Sequence, residues 1–125
     1  MDFTGTFQIL DWQESTEQAL NMNTKVSKAL IKQQYSGVIQ GSSNTHYLLY
    51  YSEDGDATFT GFEVITGVIN EQAYQLTLKH NGHFINGVAS SQFVIIQSVP
   101  ESHLLGKSGR FDSTETGKAN YSFSE

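Results

Sequence analysis

Ala73-Tyr74-Gln75-Leu76-Thr77-Leu78-Lys79-His80 puts Tyr74, Leu76, Leu78 and His80 on one side of an extended chain, and Ala73, Gln75, Thr77 and Lys79 on the other. Successive side chains of a strand point to opposite faces, so this run describes a sheet with one apolar face. The Asn81-Gly82 that follows tolerates positive φ, which predicts a tight hairpin at that point and an antiparallel neighbour. Asp54-Gly55 carries the same signal, and Ala119, Tyr121 and Phe123 repeat the alternation near the C-terminal end.

Outward from this stretch the chain remains strand-like. Runs rich in Val, Ile, Tyr, Phe and Thr, separated by Gly, Asn, Asp and Ser, cover residues 3–10, 25–41, 45–52, 57–69, 73–80, 83–91, 92–99, 104–112 and 118–124. Only residues 13–22 suggest a helix, because Ser15 with Gln18 three residues on resembles a capping box ahead of Ala19-Leu20. The 125 residues include one proline and no linker-like tract, so residues 1–125 read as one domain. An all-β chain of this length must hide its sheet edges, and Gly5, Gly37, Gly61 and Gly67 inside strands favour a sharply bent sheet. The expected fold is therefore all-β, a closed antiparallel barrel of about eight strands, wide enough to be filled by side chains or to hold one small ligand.

Two runs, Leu48-Leu49-Tyr50-Tyr51 and Phe93-Val94-Ile95-Ile96, are apolar on both faces. Their outward residues need cover, which predicts a homo-oligomer interface unless the chain's own termini supply it.

Charge and composition remove several functions. The net charge of −6 repels phosphate backbones and anionic headgroups, which argues against nucleic acid or a membrane surface as partner. The absence of cysteine removes disulfides, thiolate metal sites and a thiol nucleophile, and fits a reducing cytoplasm. The start Met1-Asp2-Phe3-Thr4-Gly5-Thr6 has no basic, apolar export pattern, and no stretch is apolar long enough to span a bilayer as a helix. Asp54-Gly55-Asp56 lacks the spaced ligands of a calcium loop, and neither a Gly-x-Ser-x-Gly elbow nor a phosphate loop is present. No cofactor is implied.

The run Tyr51-Ser52-Glu53-Asp54-Gly55-Asp56-Ala57-Thr58-Phe59-Thr60-Gly61-Phe62-Glu63-Val64-Ile65-Thr66-Gly67 resembles a family of small bacterial proteins of unknown function, whose pattern is a Tyr, Asp-Gly, Gly-x-Glu and a closing Gly. Gly5-Thr6-Phe7 with Trp12, His80-x-Gly82-x-Phe84, Gly106 and Gly109 also fit, so the likeness spans nearly the whole chain. The resemblance implies a barrel similar to allene oxide cyclase, a calycin-like architecture that also resembles the dirigent proteins. It carries no cyclase site residue onto this sequence. The Gly-rich loop associated with the family before its penultimate strand is here Ser98-Val99-Pro100-Glu101-Ser102-His103, without glycine.

Chemistry has few candidates. Glu63 shares a strand face with Phe59, Gly61, Ile65 and Gly67, so it is expected inside, where it can move a proton or anchor a polar ligand. His80 ends the Tyr74, Leu76, Leu78 row and is its natural partner. Across an Asn81-Gly82 hairpin His80 and His83 would share a face, but without a defined third ligand no metal site is assigned. Tyr35, Tyr47, Tyr50, Tyr74 and Tyr121 are candidates for an interior lining with hydroxyls among apolar walls, and Trp12 for a plug at one mouth.

The expectation is a barrel that binds a small, largely apolar molecule. The alternatives are a lyase, cyclase or isomerase using Glu63 and His80 for proton transfer, and an interaction barrel with a filled core. A continuous cavity lined by Glu63 and His80 would favour the first two. A core packed solid with rings would favour the third.

Overall fold

The computed structural model describes residues 2–124. Eight strands follow one another: β1 (Asp2–Ala19), β2 (Lys25–Gly37), β3 (Gln40–Tyr51), β4 (Ala57–Ile69), β5 (Gln72–Ile85), β6 (Val88–Val99), β7 (Ser108–Glu115) and β8 (Lys118–Ser124). Each pairs antiparallel with the next, and β8 pairs with β1 from Asp2↔Ser124 to Gln8↔Lys118, which closes the sheet into a barrel. Over residues 2–8 this seam leaves no free edge, the hazard that an all-β chain has to solve.

Inward residues follow the period of two. On β2 they are Ala29, Ile31, Gln33 and Tyr35; on β4, Ala57, Phe59, Glu63, Ile65 and Ile69. Glycines in the inward rows make room for rings. A Cβ on Gly82 would lie 2.5 Å from the Phe59 ring, and one on Gly5 would collide with the Tyr121 hydroxyl.

Three expectations are corrected. Residues 13–19 are strand, not helix: they continue β1 and pair with β2 from Gln13↔Leu30 to Ala19↔Lys25, so the ladder of a long hairpin replaces one isolated turn of helix. Asn81-Gly82 is not a turn. β5 runs through it, the glycine serving the Phe59 ring, and the hairpin lies at Asn86-Gly87, where φ is 53° and 81°. Residues 83–91 and 92–99 therefore do not form two separate strands, and residues 25–41 are divided near Val38 and Ile39. Asp54-Gly55 does connect antiparallel neighbours, β3 and β4.

β1 has 18 residues and β8 only 7, so β1 outruns its closing partner. Past Ile9 the register slips by one residue at Leu10, and this bulge turns Trp12 and Glu14 to the side on which Ile31, Ala29 and Ser27 point inward. The bulge thus brings β1 over one mouth of the barrel. At the opposite end Ile39, Ile65, Leu76, Ile95, Tyr121 and Phe123 close together around a residual void of about 10 Å³. Leu104, between β6 and β7, is buried in the same core.

Candidate functional site

Midway along the barrel, Glu63 and His80 are both 1% exposed. They reach each other because β4 and β5 pair Gly61 with His80, leaving the imidazole no side chain directly opposite and Glu63 one inward position further on. His80 Nε2 lies 2.7 Å from Glu63 Oε1, and the Tyr35 hydroxyl donates to Glu63 Oε2 at 2.5 Å. His80 Nδ1 lies 2.9 Å from Ser91 Oγ, whose proton has the Asn81 carbonyl at 3.3 Å as a further acceptor. Both carboxylate oxygens and both ring nitrogens are thus engaged, the condition under which buried polar groups are tolerated. Burial first, then the Glu63 charge and the hydrogen bond to it, hold the Tyr35 phenol well above its ordinary pKa, so it remains a donor.

The rings of Tyr47, Phe93 and Phe111 stand around His80 at centroid distances of 5.7, 5.4 and 5.6 Å. Beyond Tyr47 and Phe111 the barrel is hollow. A cavity of about 280 Å³ opens towards the mouth, walled by Phe7, Ile31, Leu49 and Phe59 and rimmed by Trp12 and Tyr51. Glu63 and His80 are not on its wall. The interior is therefore neither the continuous cavity nor the solid core set out as alternatives above: a polar cluster lies sealed beneath a hollow mouth.

At the rim Glu14 gathers three strands. Its Oε2 accepts from Ser27 Oγ at 2.6 Å and from the Tyr51 hydroxyl at 2.8 Å, and its Oε1 accepts from Trp12 Nε1 at 2.9 Å. Partial burial alone would raise this carboxyl. The hydrogen bonds from Ser27, Tyr51 and Trp12, with Lys25 nearby, outweigh it and hold the carboxyl below its ordinary value.

The five tyrosines proposed for an interior lining separate. Tyr47 lines the mouth cavity, and Tyr35 lies among the rings of the closed end while bonding Glu63. The Tyr121 hydroxyl accepts from Ile39 N–H at 3.0 Å and donates to the Ser36 carbonyl at 3.1 Å, a packing tyrosine bonded to backbone. Burial raises its pKa to about 12. Tyr74 is half-buried on β5 opposite Gly67, towards the closed end. Tyr50 corrects the expectation outright: its neighbours Leu49 and Tyr51 take the inward phase, and it stands on the outer face, 43% exposed. His80 and His83 also part company, since without a turn at Asn81-Gly82 they project from opposite faces. His83 is exposed and lies 3.0 Å from Ser90 Oγ.

One cavity residue and one rim residue escape the sequence reading. Gln33 sits in the polar run Lys32-Gln33-Gln34, and only its phase with Ile31 and Tyr35 marks it as inward. Glu14 falls in the stretch that suggests a helix, and the Leu10 bulge that turns it towards Ser27 at the rim has no sequence signature of its own.

The sequence profile of a protein family of unknown function, DUF3224, matches residues 3–124. The chain belongs to that family. A crystal structure of a DUF3224 protein of unknown function from Shewanella oneidensis MR-1 is similar to it, with a TM-score of 0.69 and 19% identity over 98% of this chain and 93% of that one. At that identity the likeness concerns the fold. No curated protein matches. DUF3224 thus supplies an architecture and no activity, and function has to come from the site.

Proposed function

We propose that this DUF3224 barrel is a binding protein for a small, largely apolar molecule. The observation that carries this reading is the hollow of about 280 Å³ with apolar walls at one mouth, in a barrel whose other end is packed shut. Ligand sites are typically concave, mostly apolar and supplied with a few polar groups, and this volume lies near their lower limit. The Glu63–His80 pair supports the reading from beneath. Fully bonded and shielded by Tyr47 and Phe111, it fixes the floor rather than meeting a ligand.

A cytoplasmic location, suggested by the cysteine-free composition, belongs to the same proposal. So does self-association. Leu48, Phe62, Val94 and Ile96 stand exposed on the outer face, and a second copy would supply cover for them. Sedimentation should show more than a monomer at micromolar concentration, and a monomer at high micromolar concentration would remove that part.

The binding function is tested by native mass spectrometry of the protein purified from its own host, with Ala89→Leu, which narrows the mouth, run beside it. A small molecule retained by the natural protein and absent from the variant is the expected result. Equal spectra with no added mass would count against binding.

A further inference from the structure

Resting on that reading, the chemical class of the ligand can be taken one step further. Among the side chains of the mouth cavity two polar groups have no hydrogen-bond partner among the described residues. Gln33 accepts hydrogen bonds from Ser43 Oγ at 3.1 Å and Thr45 Oγ1 at 3.2 Å through its Oε1, and its amide nitrogen bonds to none of the described residues. The Tyr47 hydroxyl likewise bonds to none of them, although its ring is fixed between Phe59 and His80. Gln33 is 3% exposed and Tyr47 5%. Among the described residues no wholly enclosed side-chain nitrogen or oxygen lacks a partner, so these two atoms reach open space, and the space that both residues line is the cavity.

Both are donors in search of an acceptor. Ser43 and Thr45 occupy the oxygen of Gln33 and leave its NH₂ to the cavity. Burial, and then the negative charge of Glu63, hold the Tyr47 phenol well above its ordinary pKa, so that it keeps its proton. The same field opposes an anion placed beside it. Lys118, a cation on the wall, is exposed and stands in the outward phase beside the inward Ala119, so its charge does not face the floor.

We propose that the cavity takes an uncharged, mainly apolar molecule with an oxygen acceptor, such as a ketone or ester carbonyl, held by the Gln33 amide and the Tyr47 hydroxyl. Engineered cavities of roughly half this volume hold one benzene ring, so a ligand of about one or two fused rings fits.

The probes are indane, 1-indanone and indane-1-carboxylate, a series of one size that differs in the oxygen, titrated calorimetrically into the full chain. 1-Indanone should bind about tenfold more tightly than indane, the scale of one or two net hydrogen bonds, and the carboxylate should bind more weakly than the ketone. Tyr47→Phe breaks no hydrogen bond among the described residues and should remove most of the ketone's advantage while leaving indane unchanged. Gln33→Met, similar in length but without an N–H donor, should do the same, and unchanged binding of indane to both variants guards against a loss caused by misfolding. Equal binding of indane and 1-indanone would overturn the polar anchor while leaving an apolar binding barrel intact. Tightest binding of the carboxylate would overturn the neutral class. Failure of all three to bind at millimolar concentration would remove both this inference and the binding function.

Discussion

The two ends of this barrel are built from the same alternating strands, yet one is shut and the other hollow. At the closed end Ile39, Ile65, Leu76 and Ile95 meet across the axis and leave a void of about 10 Å³, too small for any ligand. At the open end the inward positions include Ala89, Ser113 and Ala119, and these small side chains on β6, β7 and β8 face the large ones of β2 to β4 across about 280 Å³. The difference teaches that closure alone does not decide whether a barrel is a core or a container. Side-chain volume at one layer decides it, and the glycines decide how closely rings may approach the wall.

The sharpest way to break the comparison is at its boundary. Glu63→Leu leaves His80 Nε2 and the Tyr35 hydroxyl without their acceptor, and should destabilise the fold by about 3–5 kcal/mol in urea unfolding. A loss under about 1 kcal/mol would mean that water reaches the cluster, contrary to a sealed floor. Next comes a matched truncation at the two ends. Leu104→Ala should cost about 2–5 kcal/mol because it empties a packed site. Phe84→Ala, at the partly exposed rim, should cost markedly less. Equal costs by thermal unfolding would erase the distinction between the ends.

A smaller effect should come from overpacking the wall. Gly82→Ala forces its Cβ against the Ser90 carbonyl oxygen and the Phe59 ring and should cost about 1–3 kcal/mol, measured by the same unfolding curves. The smallest effect belongs to the rim carboxylate. Because the folded-state pKa of Glu14 lies below its unfolded value, its contribution is present above the unfolded pKa and is lost as pH falls through the folded one. Its exposure limits that contribution to less than about 1 kcal/mol. The melting temperature of the natural protein should therefore fall more steeply below pH 4 or so than that of Glu14→Gln, with a change in Trp12 fluorescence as the rim loosens. Parallel curves would remove Glu14 from the rim's stability.

Much of this is legible in the sequence. The alternation at Tyr74, Leu76, Leu78 and His80 and the inward phase of Glu63 follow from period two alone, and they place both ionisable groups inside. What sequence could not convey was why a given glycine is present. Asn81-Gly82 and Asn86-Gly87 look alike, but the first admits a ring and the second makes the turn. Nor could it reveal the bulge at Leu10, which one register slip creates and which turns Trp12 and Glu14 over the mouth. Depth along the axis was equally hidden. Strand phase says inside or outside, whereas the separation of the cavity from Glu63 and His80 depends on the rings that Tyr47 and Phe111 place between them.

The contrast between the ends is tested most directly by xenon, which enters apolar cavities and is readily located. Crystals pressurised with the gas should show it at the open end, against Phe7, Tyr47 and Phe111, and nowhere among Ile39, Leu76 and Ile95. Xenon at the packed end, or at neither, would contradict a barrel that is sealed below and hollow above.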